Sequence, residues 1–118
     1  MVLVVDDEPH IVEFLSLLLE DEGYRVRSAA NGREALAAIH EERPDLIISD
    51  VMMPLVSGVE LLHHVGRAGW TAQPKVILMS AVTQRAPAPN VPFIEKPFDI
   101  DEMLAMIDVV LAGEAQTA

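Results

Sequence analysis

Short apolar runs alternate along the chain with segments in which apolar residues recur at helical spacing. The runs Val2–Val5, Leu46–Asp50 and Val76–Ser80 are apolar almost throughout, which is typical of strands buried on both faces of a parallel sheet. Arg25–Ala29 and Phe93–Glu95 predict two shorter strands. Strands that alternate with helices favour a single parallel sheet covered by helices on both faces.

Proline, glycine and capping residues mark the ends of four predicted helices. Pro9 suits the first turn of the first helix, where its missing N–H is not needed, and Gly23 suits the C-cap of that helix. Asn31, Ser57 and Asp99 precede the later helices and are expected to be their N-caps.

Right-handed crossovers between parallel strands restrict the topology and predict the strand order 2-1-3-4-5. This is a doubly wound, flavodoxin-like α/β fold with five parallel strands. The crossover between the fourth and fifth strands, Ala81–Pro92, is unusual because Pro87, Pro89 and Pro92 prevent a helix beyond about Arg85. We therefore expect the helix between strands four and five to be shortened or missing.

A length of 118 residues and a hydrophobic fraction of 51% are typical of one folded domain. We expect this domain to span residues 1–112, and residues 113–118 to form a frayed tail because they have nothing to bury. The lack of cysteine excludes disulfide bonds and thiolate metal sites, and fits a reducing compartment. No basic segment followed by a long apolar stretch opens the chain, so we expect no signal peptide and no membrane span.

The formal net charge is −11, from 19 acidic and 8 basic residues. A surface of this charge repels the phosphate backbone of nucleic acids, so direct binding of DNA or RNA is not expected. The histidines lack the spacing of a metal site and are interpreted as surface groups: His10, His40, His63 and His64.

Carboxylates follow two strands that the predicted order places side by side. Asp6 and Asp7 follow the first strand and Asp50 ends the third, so all three meet at the carboxyl edge of the sheet. Two carboxylates about 4 Å apart repel each other by roughly 4 kcal/mol at an effective dielectric constant near 20, so the cluster needs a cation or a proton. Oxygen ligands favour Mg²⁺ or Ca²⁺, and Mg²⁺ fits better because the spacing is not that of an EF-hand loop.

Ser80 and Lys96 lie at the ends of the fourth and fifth strands and therefore reach the same edge. An acidic metal site beside one lysine and one hydroxyl group is suited to phosphoryl transfer, because the cations neutralise the phosphoryl oxygens. A carboxylate can serve as the nucleophile and form an aspartyl phosphate.

Four motifs lie at these strand ends: VVDDEP at Val4–Pro9, SDVMMP at Ser49–Pro54, LMSA at Leu78–Ala81 and EKPF at Glu95–Phe98. With these motifs in this order, the chain resembles the receiver domain of two-component response regulators over essentially its full length. The resemblance implies that Asp50 is the phosphoacceptor.

The resemblance also implies a Mg²⁺ site. Its ligands would be the side chains of Asp7 and Asp50 and the backbone carbonyl of Met52, with Asp6 assisting through water.

Further roles follow from the same resemblance. Ser80 and Lys96 would bind the phosphoryl oxygens. Phe93 stands at the position of the switch aromatic residue, which is coupled to Ser80 and changes rotamer on phosphorylation in the family. The Lys96–Pro97 peptide bond is similar to one that is commonly cis there.

The implied function is a cytoplasmic signalling switch rather than an enzyme. A histidine kinase or histidine phosphotransfer protein would donate the phosphoryl group, and slow self-dephosphorylation at Asp50 would reset the switch. The sequence names neither the kinase nor the downstream protein or output domain. The family's usual dimer and output face includes the helix that residues 81–92 disfavour, so a homodimer would use a different face. No output domain follows Leu111, so the chain is a stand-alone receiver or part of a longer protein.

Two alternatives stay open at the level of the sequence. One is a phosphorylation-independent protein-binding module that uses residues 81–92 as its surface. The other is a Mg²⁺-dependent phosphohydrolase with an aspartyl nucleophile. The haloacid-dehalogenase type of such enzymes carries D-x-D after its first strand, whereas this chain has adjacent Asp6 and Asp7 there.

Overall fold

The computed structural model describes residues 1–51, 58–67, 73–80 and 91–116. Its described strands form one parallel sheet in the order β2-β1-β3-β4-β5, which confirms the predicted order. The strands are β1 (Val2–Val5), β2 (Val26–Ala29), β3 (Leu46–Asp50), β4 (Lys75–Ser80) and β5 (Phe93–Glu95). The helices are α1 (Pro9–Asp21), α2 (Gly32–Glu41), α3 (Gly58–Arg67) and α4 (Ile100–Gln116).

Two hydrophobic cores lie on opposite faces of the sheet. Alternate residues of β1, such as Val4 and Leu3, belong to different cores. The first core packs the sheet against α1 and α4, for example through Leu15 and Ile107, and the second packs it against α2 and α3. The central strands β1 and β3 are buried along their whole length, which explains why their sequences are apolar without alternation.

Local hydrogen bonds fix the beginnings of two helices at the predicted residues. The Asn31 side chain accepts a hydrogen bond of 2.9 Å from the backbone N–H of Glu34, and Glu34 accepts one of 3.2 Å from the N–H of Ala30. Asp99 accepts a hydrogen bond of 2.7 Å from the N–H of Glu102 at the start of α4. Gly23 follows α1 with a φ of 94°, a left-handed conformation that glycine adopts readily.

Some predicted features differ from the structure or lie outside its described residues. Helix α4 continues to Gln116, past the predicted boundary at residue 112. The division into a domain of residues 1–112 and a tail stays a prediction. The predicted cap Ser57 and residues 81–90 lie outside the described residues, so the shortened crossover helix also stays a prediction.

In the described part of the chain, no helix has both the length and the apolar content that a membrane span requires.

Candidate functional site

The edge of the sheet at the C-terminal ends of β1 and β3 carries two buried carboxylates. These strands are neighbours with Val5 opposite Ser49, so Asp6, the next residue after β1, lies beside the end of β3. Only 1% of Asp6 and 6% of Asp50 is exposed to solvent. Burial makes these negative charges costly unless a cation or hydrogen-bond donors compensate for them.

Lys96 supplies a positive charge at this edge. It directly follows β5, where its backbone N–H donates a hydrogen bond of 2.7 Å to the carbonyl of Ser80 at the end of β4. Its Nζ lies 2.6 Å from Oδ2 of Asp6 and 3.3 Å from Oδ2 of Asp50. The lysine side chain therefore reaches from β5 across β4 and β3 to the end of β1, and joins three strand ends.

The two carboxylates keep Lys96 protonated. Burial alone lowers the pKa of its ammonium group, but the hydrogen bond to Asp6 and the negative charge of Asp50 outweigh burial and raise the pKa above its usual value. The side chain is only 7% exposed, so water screens these interactions weakly. At neutral pH the site therefore holds one ammonium group between two buried acidic groups.

The turn after β1 contains further acidic groups. The backbone N–H of Glu8 donates a hydrogen bond of 2.9 Å to Oδ1 of Asp6, which fixes the orientation of that carboxylate. Asp7 is exposed. One carboxylate oxygen from each of Asp6, Asp7 and Glu8 lies within 4.8 Å of the others, an arrangement of hard oxygen donors.

The remaining predicted residues occupy different environments. Ser80 is 4% exposed at the end of β4 and pairs with Glu95 in β5. Phe93 is half-buried and begins β5. Met52, the predicted carbonyl ligand, lies outside the described residues. The Lys96–Pro97 peptide bond is cis, as the resemblance implied.

Two residues beside the site were not predicted from the sequence. Oε1 of Glu8 lies 3.9 Å from Nζ of Lys96, and Oε2 of Glu8 lies 3.2 Å from Nε2 of His10. In the sequence, Glu8 stands out only as part of the VVDDEP motif, and His10 is interpreted as a surface group. One sequence signal points to Glu8, because glutamate is not among the preferred N-cap residues and yet occupies the position before Pro9.

A cavity of about 310 Å³ also adjoins Lys96. Ile11, Phe14 and Phe98 contribute much of its apolar lining, and the rings of Phe14 and Phe98 lie 6.5 Å apart between centroids. This cavity connects the first turns of α1 with the segment that follows β5.

The family described as the response regulator receiver domain matches residues 2–108 of the chain. The chain belongs to this family. This receiver domain is 40% identical over 113 residues to the transcriptional regulatory protein KdpE of Mycobacterium tuberculosis, an alignment that covers 91% of the chain and 49% of KdpE. It is 34% identical over 116 residues to the phosphate regulon transcriptional regulatory protein PhoB of Pseudomonas aeruginosa, covering 93% of the chain and 51% of PhoB.

Solved structures of similar sequence share the fold of this receiver domain. The chemotaxis response regulator CheY4 of Vibrio cholerae has a TM-score of 0.85 and 34% identity, over 93% of this chain and 97% of CheY4. The response regulator TrrA of Thermotoga maritima, in complex with Mg²⁺ and BeF, has a TM-score of 0.82 and 33% identity, over 93% of this chain and 97% of TrrA. The chain spans about half the length of the curated relatives it matches. Response regulator receiver domains are signalling switches, and this chain is one of them.

Proposed function

We propose that this receiver domain is switched by transfer of a phosphoryl group to Asp50 in a two-component phosphorelay. The observation that carries the proposal is the contact of one buried ammonium group, Lys96, with both Asp6 and Asp50. A fixed cation beside a nucleophilic carboxylate can neutralise the phosphoryl oxygens without reorganisation during the transfer.

The proposed step is a displacement at phosphorus. A carboxylate oxygen of Asp50 forms a bond to the phosphorus atom of a phosphohistidine, and the phosphorus–nitrogen bond of the donor breaks. The electron pair of that bond stays on the leaving imidazole nitrogen, which takes a proton from solvent. The product is an aspartyl phosphate, and its hydrolysis by water returns the carboxylate and releases inorganic phosphate, which resets the switch.

Lys96 and Ser80 are proposed to bind the oxygens of the transferred group. Lys96 gives up part of its contact with Asp50 when that carboxylate becomes an acyl phosphate, and its ammonium group then pairs with a phosphoryl oxygen. Ser80 ends β4, which lies directly beside β3, so its hydroxyl group is placed on the strand next to Asp50. Coupling between Ser80 and Phe93 stays a proposal of the same kind.

The residues of this edge fit a bound Mg²⁺ ion. The fit rests on the turn after β1, where a carboxylate oxygen of Asp6 and one of Asp7 lie within 4.8 Å of each other and are hard donors. We propose that Asp7 and Asp50 hold the ion, with the Met52 carbonyl as a third ligand and Asp6 assisting through water. When bound, Mg²⁺ supplies positive charge that offsets the charge of the phosphoryl oxygens.

A histidine kinase or histidine phosphotransfer protein is the proposed donor. Large apolar side chains are exposed on α1 and at the start of α4: Phe14 is 39% exposed, Leu17 is 62% exposed and Ile100 is 45% exposed, and Phe14 lines the cavity beside Lys96. Exposed apolar side chains on a protein surface support the docking of a partner protein, here the proposed donor. We further propose that the receiver acts in the cytoplasm, and that its net charge of −11 keeps the receiver itself off nucleic acids.

Acetyl phosphate with Mg²⁺ tests the proposed phosphoacceptor directly. Intact-mass spectrometry of the wild type is expected to show the addition of one phosphoryl group, and Asp50→Asn is expected to abolish it. Asp45→Asn is the matched control, because Asp45 precedes β3 and lies at the opposite end of that strand from Asp50. Labelling that persists in Asp50→Asn would disprove the assignment.

A further inference from the structure

Glu8 places a third carboxylate next to the ammonium group of Lys96. Its Oε1 lies 3.9 Å from Nζ, compared with 2.6 Å for Asp6 and 3.3 Å for Asp50. The Glu8 side chain is 45% exposed, whereas both aspartate side chains are at most 9% exposed. Glu8 therefore approaches Lys96 from the solvent side of the site.

The position of Glu8 in α1 does not account for this contact. Glu8 is the N-cap residue of the helix, but its side chain makes no capping hydrogen bond. Serine, threonine, aspartate and asparagine are preferred there because their short side chains reach the free N–H groups of the first turn. A residue that breaks a local rule of this kind often serves the site that it adjoins.

Two features favour the observed orientation of the Glu8 carboxylate: the contact with His10 and the apolar cavity that Glu8 shares with Lys96. Its second oxygen, Oε2, lies 3.2 Å from Nε2 of His10, two residues further along the chain. Glu8 and Lys96 also line the same cavity of about 310 Å³, whose other lining residues include Ile11, Phe14 and Phe98. An apolar wall reduces screening by water, so the attraction between the carboxylate and the ammonium group is stronger than in bulk solvent.

We propose that Glu8 is a positioning residue that holds Lys96 in the unphosphorylated protein and so competes with the phosphoryl group on Asp50 for the same ammonium group. This inference rests on the proposed function of Asp50. A contact that is stronger in one state of a switch shifts the equilibrium toward that state. Since partly exposed ion pairs contribute little, removal of the Glu8 charge is expected to favour the phosphorylated state by about two- to fivefold.

Binding of beryllofluoride at saturating Mg²⁺ measures this equilibrium without a covalent step. Glu8→Gln is expected to bind beryllofluoride about two- to fivefold more tightly than the wild type, as followed by isothermal titration calorimetry. Glu13→Gln is the matched control, because it removes the same charge from an exposed position of α1. That control is expected to bind like the wild type.

Nuclear magnetic resonance of the free protein supplies a second measurement. The ¹⁵Nζ resonance of Lys96 is expected to shift in Glu8→Gln and to stay in place in Glu13→Gln. A merely structural role of Glu8 in α1 would leave that resonance unchanged.

The possible outcomes separate this inference from the proposed function. If the wild type bound no beryllofluoride, the proposed function would fail and the inference with it. If the wild type bound beryllofluoride but Glu8→Gln bound it no more tightly than Glu13→Gln, only the inference would be overturned. A loss of Mg²⁺ affinity of about tenfold or more in Glu8→Gln, without tighter beryllofluoride binding, would make Glu8 a metal ligand and would also overturn the inference.

Discussion

Lys96 is the residue on which the electrostatics of the site depend. Its ammonium group is nearly buried and lies within 3.3 Å of a carboxylate oxygen of both Asp6 and Asp50. Removal of the lysine would take this cation away from two buried carboxylates, which is strongly unfavourable. Under the proposed function, the same charge would also bind a phosphoryl group on Asp50.

The raised pKa of Lys96 predicts how stability depends on pH. A group whose pKa is higher in the folded than in the unfolded state stabilises the fold fully below the unfolded value, about 10.4 for lysine, and this stabilisation is lost as the pH rises through the folded value. Lys96→Met is expected to lower the free energy of unfolding by roughly 3–5 kcal/mol near neutral pH. The difference from the wild type is expected to stay constant to about pH 10 and then to shrink.

Urea denaturation of the wild type and variants between pH 7 and pH 11 checks this expectation. Lys75→Met is the control, since Lys75 is the only other lysine in the sequence and begins β4 at the opposite edge of the sheet. A stability difference for Lys96→Met that shrank well below pH 10 would contradict the raised pKa.

At the scale of elements, helix α1 connects the site to an apolar surface. The helix begins directly after the acidic turn, and Phe14 and Leu17 are one turn apart on one side of it. Phe14 also contacts Phe98, which follows Lys96 by two residues. The proposed donor protein would therefore bury these side chains while it presents its phosphohistidine to Asp50.

This geometry predicts different effects on protein and small-molecule donors. Leu17→Glu is expected to slow phosphoryl transfer from the cognate histidine kinase by about tenfold, because a buried apolar contact is lost and a charge is added. The rate with acetyl phosphate is expected to stay unchanged. The kinase would be found by profiling autophosphorylated histidine kinases for transfer to this protein.

Val109→Glu provides the comparison, since Val109 is 71% exposed on α4 and lines a groove with Pro92 and Met106 that includes no residue of α1. Equal slowing of transfer by Leu17→Glu and Val109→Glu would argue against docking on α1.

The elements were more predictable than the contacts between side chains. Continuous apolar runs such as Val2–Val5 predicted strands buried on both faces, and the cores on the two sides of the sheet explain why. Asn31 and Asp99 were predictable caps because their hydrogen bonds are local. The extension of α4 to Gln116 was not predicted, because residues 113–116 carry no apolar pattern that favours it.

Only those residues of the site that the strand order brings together could be predicted from the sequence. Parallel strands place their C-terminal ends at one edge, which brings Asp6, Asp50 and Lys96 together from distant parts of the sequence. The contact of Glu8 with Lys96 depends on side-chain rotamers around the turn after β1, and no spacing in the sequence specifies those. The roles assigned to these residues stay predictions until the experiments above are made.

At the scale of the whole molecule, metal binding and folding are expected to be linked. Asp7 follows β1 and Asp50 ends β3, so their carboxylates are brought to one edge only when the sheet has formed. Mg²⁺ that binds only the folded protein stabilises it, by about 2.7 kcal/mol when its concentration is 100 times the dissociation constant. The melting temperature is therefore expected to rise with MgCl₂ more than with NaCl of equal ionic strength.

Asp7→Ala is expected to weaken Mg²⁺ binding by about tenfold or more, and thus to reduce this rise in melting temperature at a fixed concentration. Differential scanning fluorimetry measures the rise, and Asp108→Ala on the exposed side of α4 serves as the control. An equal response to Mg²⁺ in Asp7→Ala and Asp108→Ala would exclude Asp7 as a ligand.

The position of Lys96 in the sequence also determines when the site is completed during synthesis. Lys96 is separated from Asp6 by 90 positions and from Asp50 by 46. A nascent chain on the ribosome would thus carry its acidic groups long before their cation emerges and β5 docks against β4. Because β5 is the last of the described strands to be translated, the ammonium group joins the two carboxylates only after the rest of the sheet has emerged.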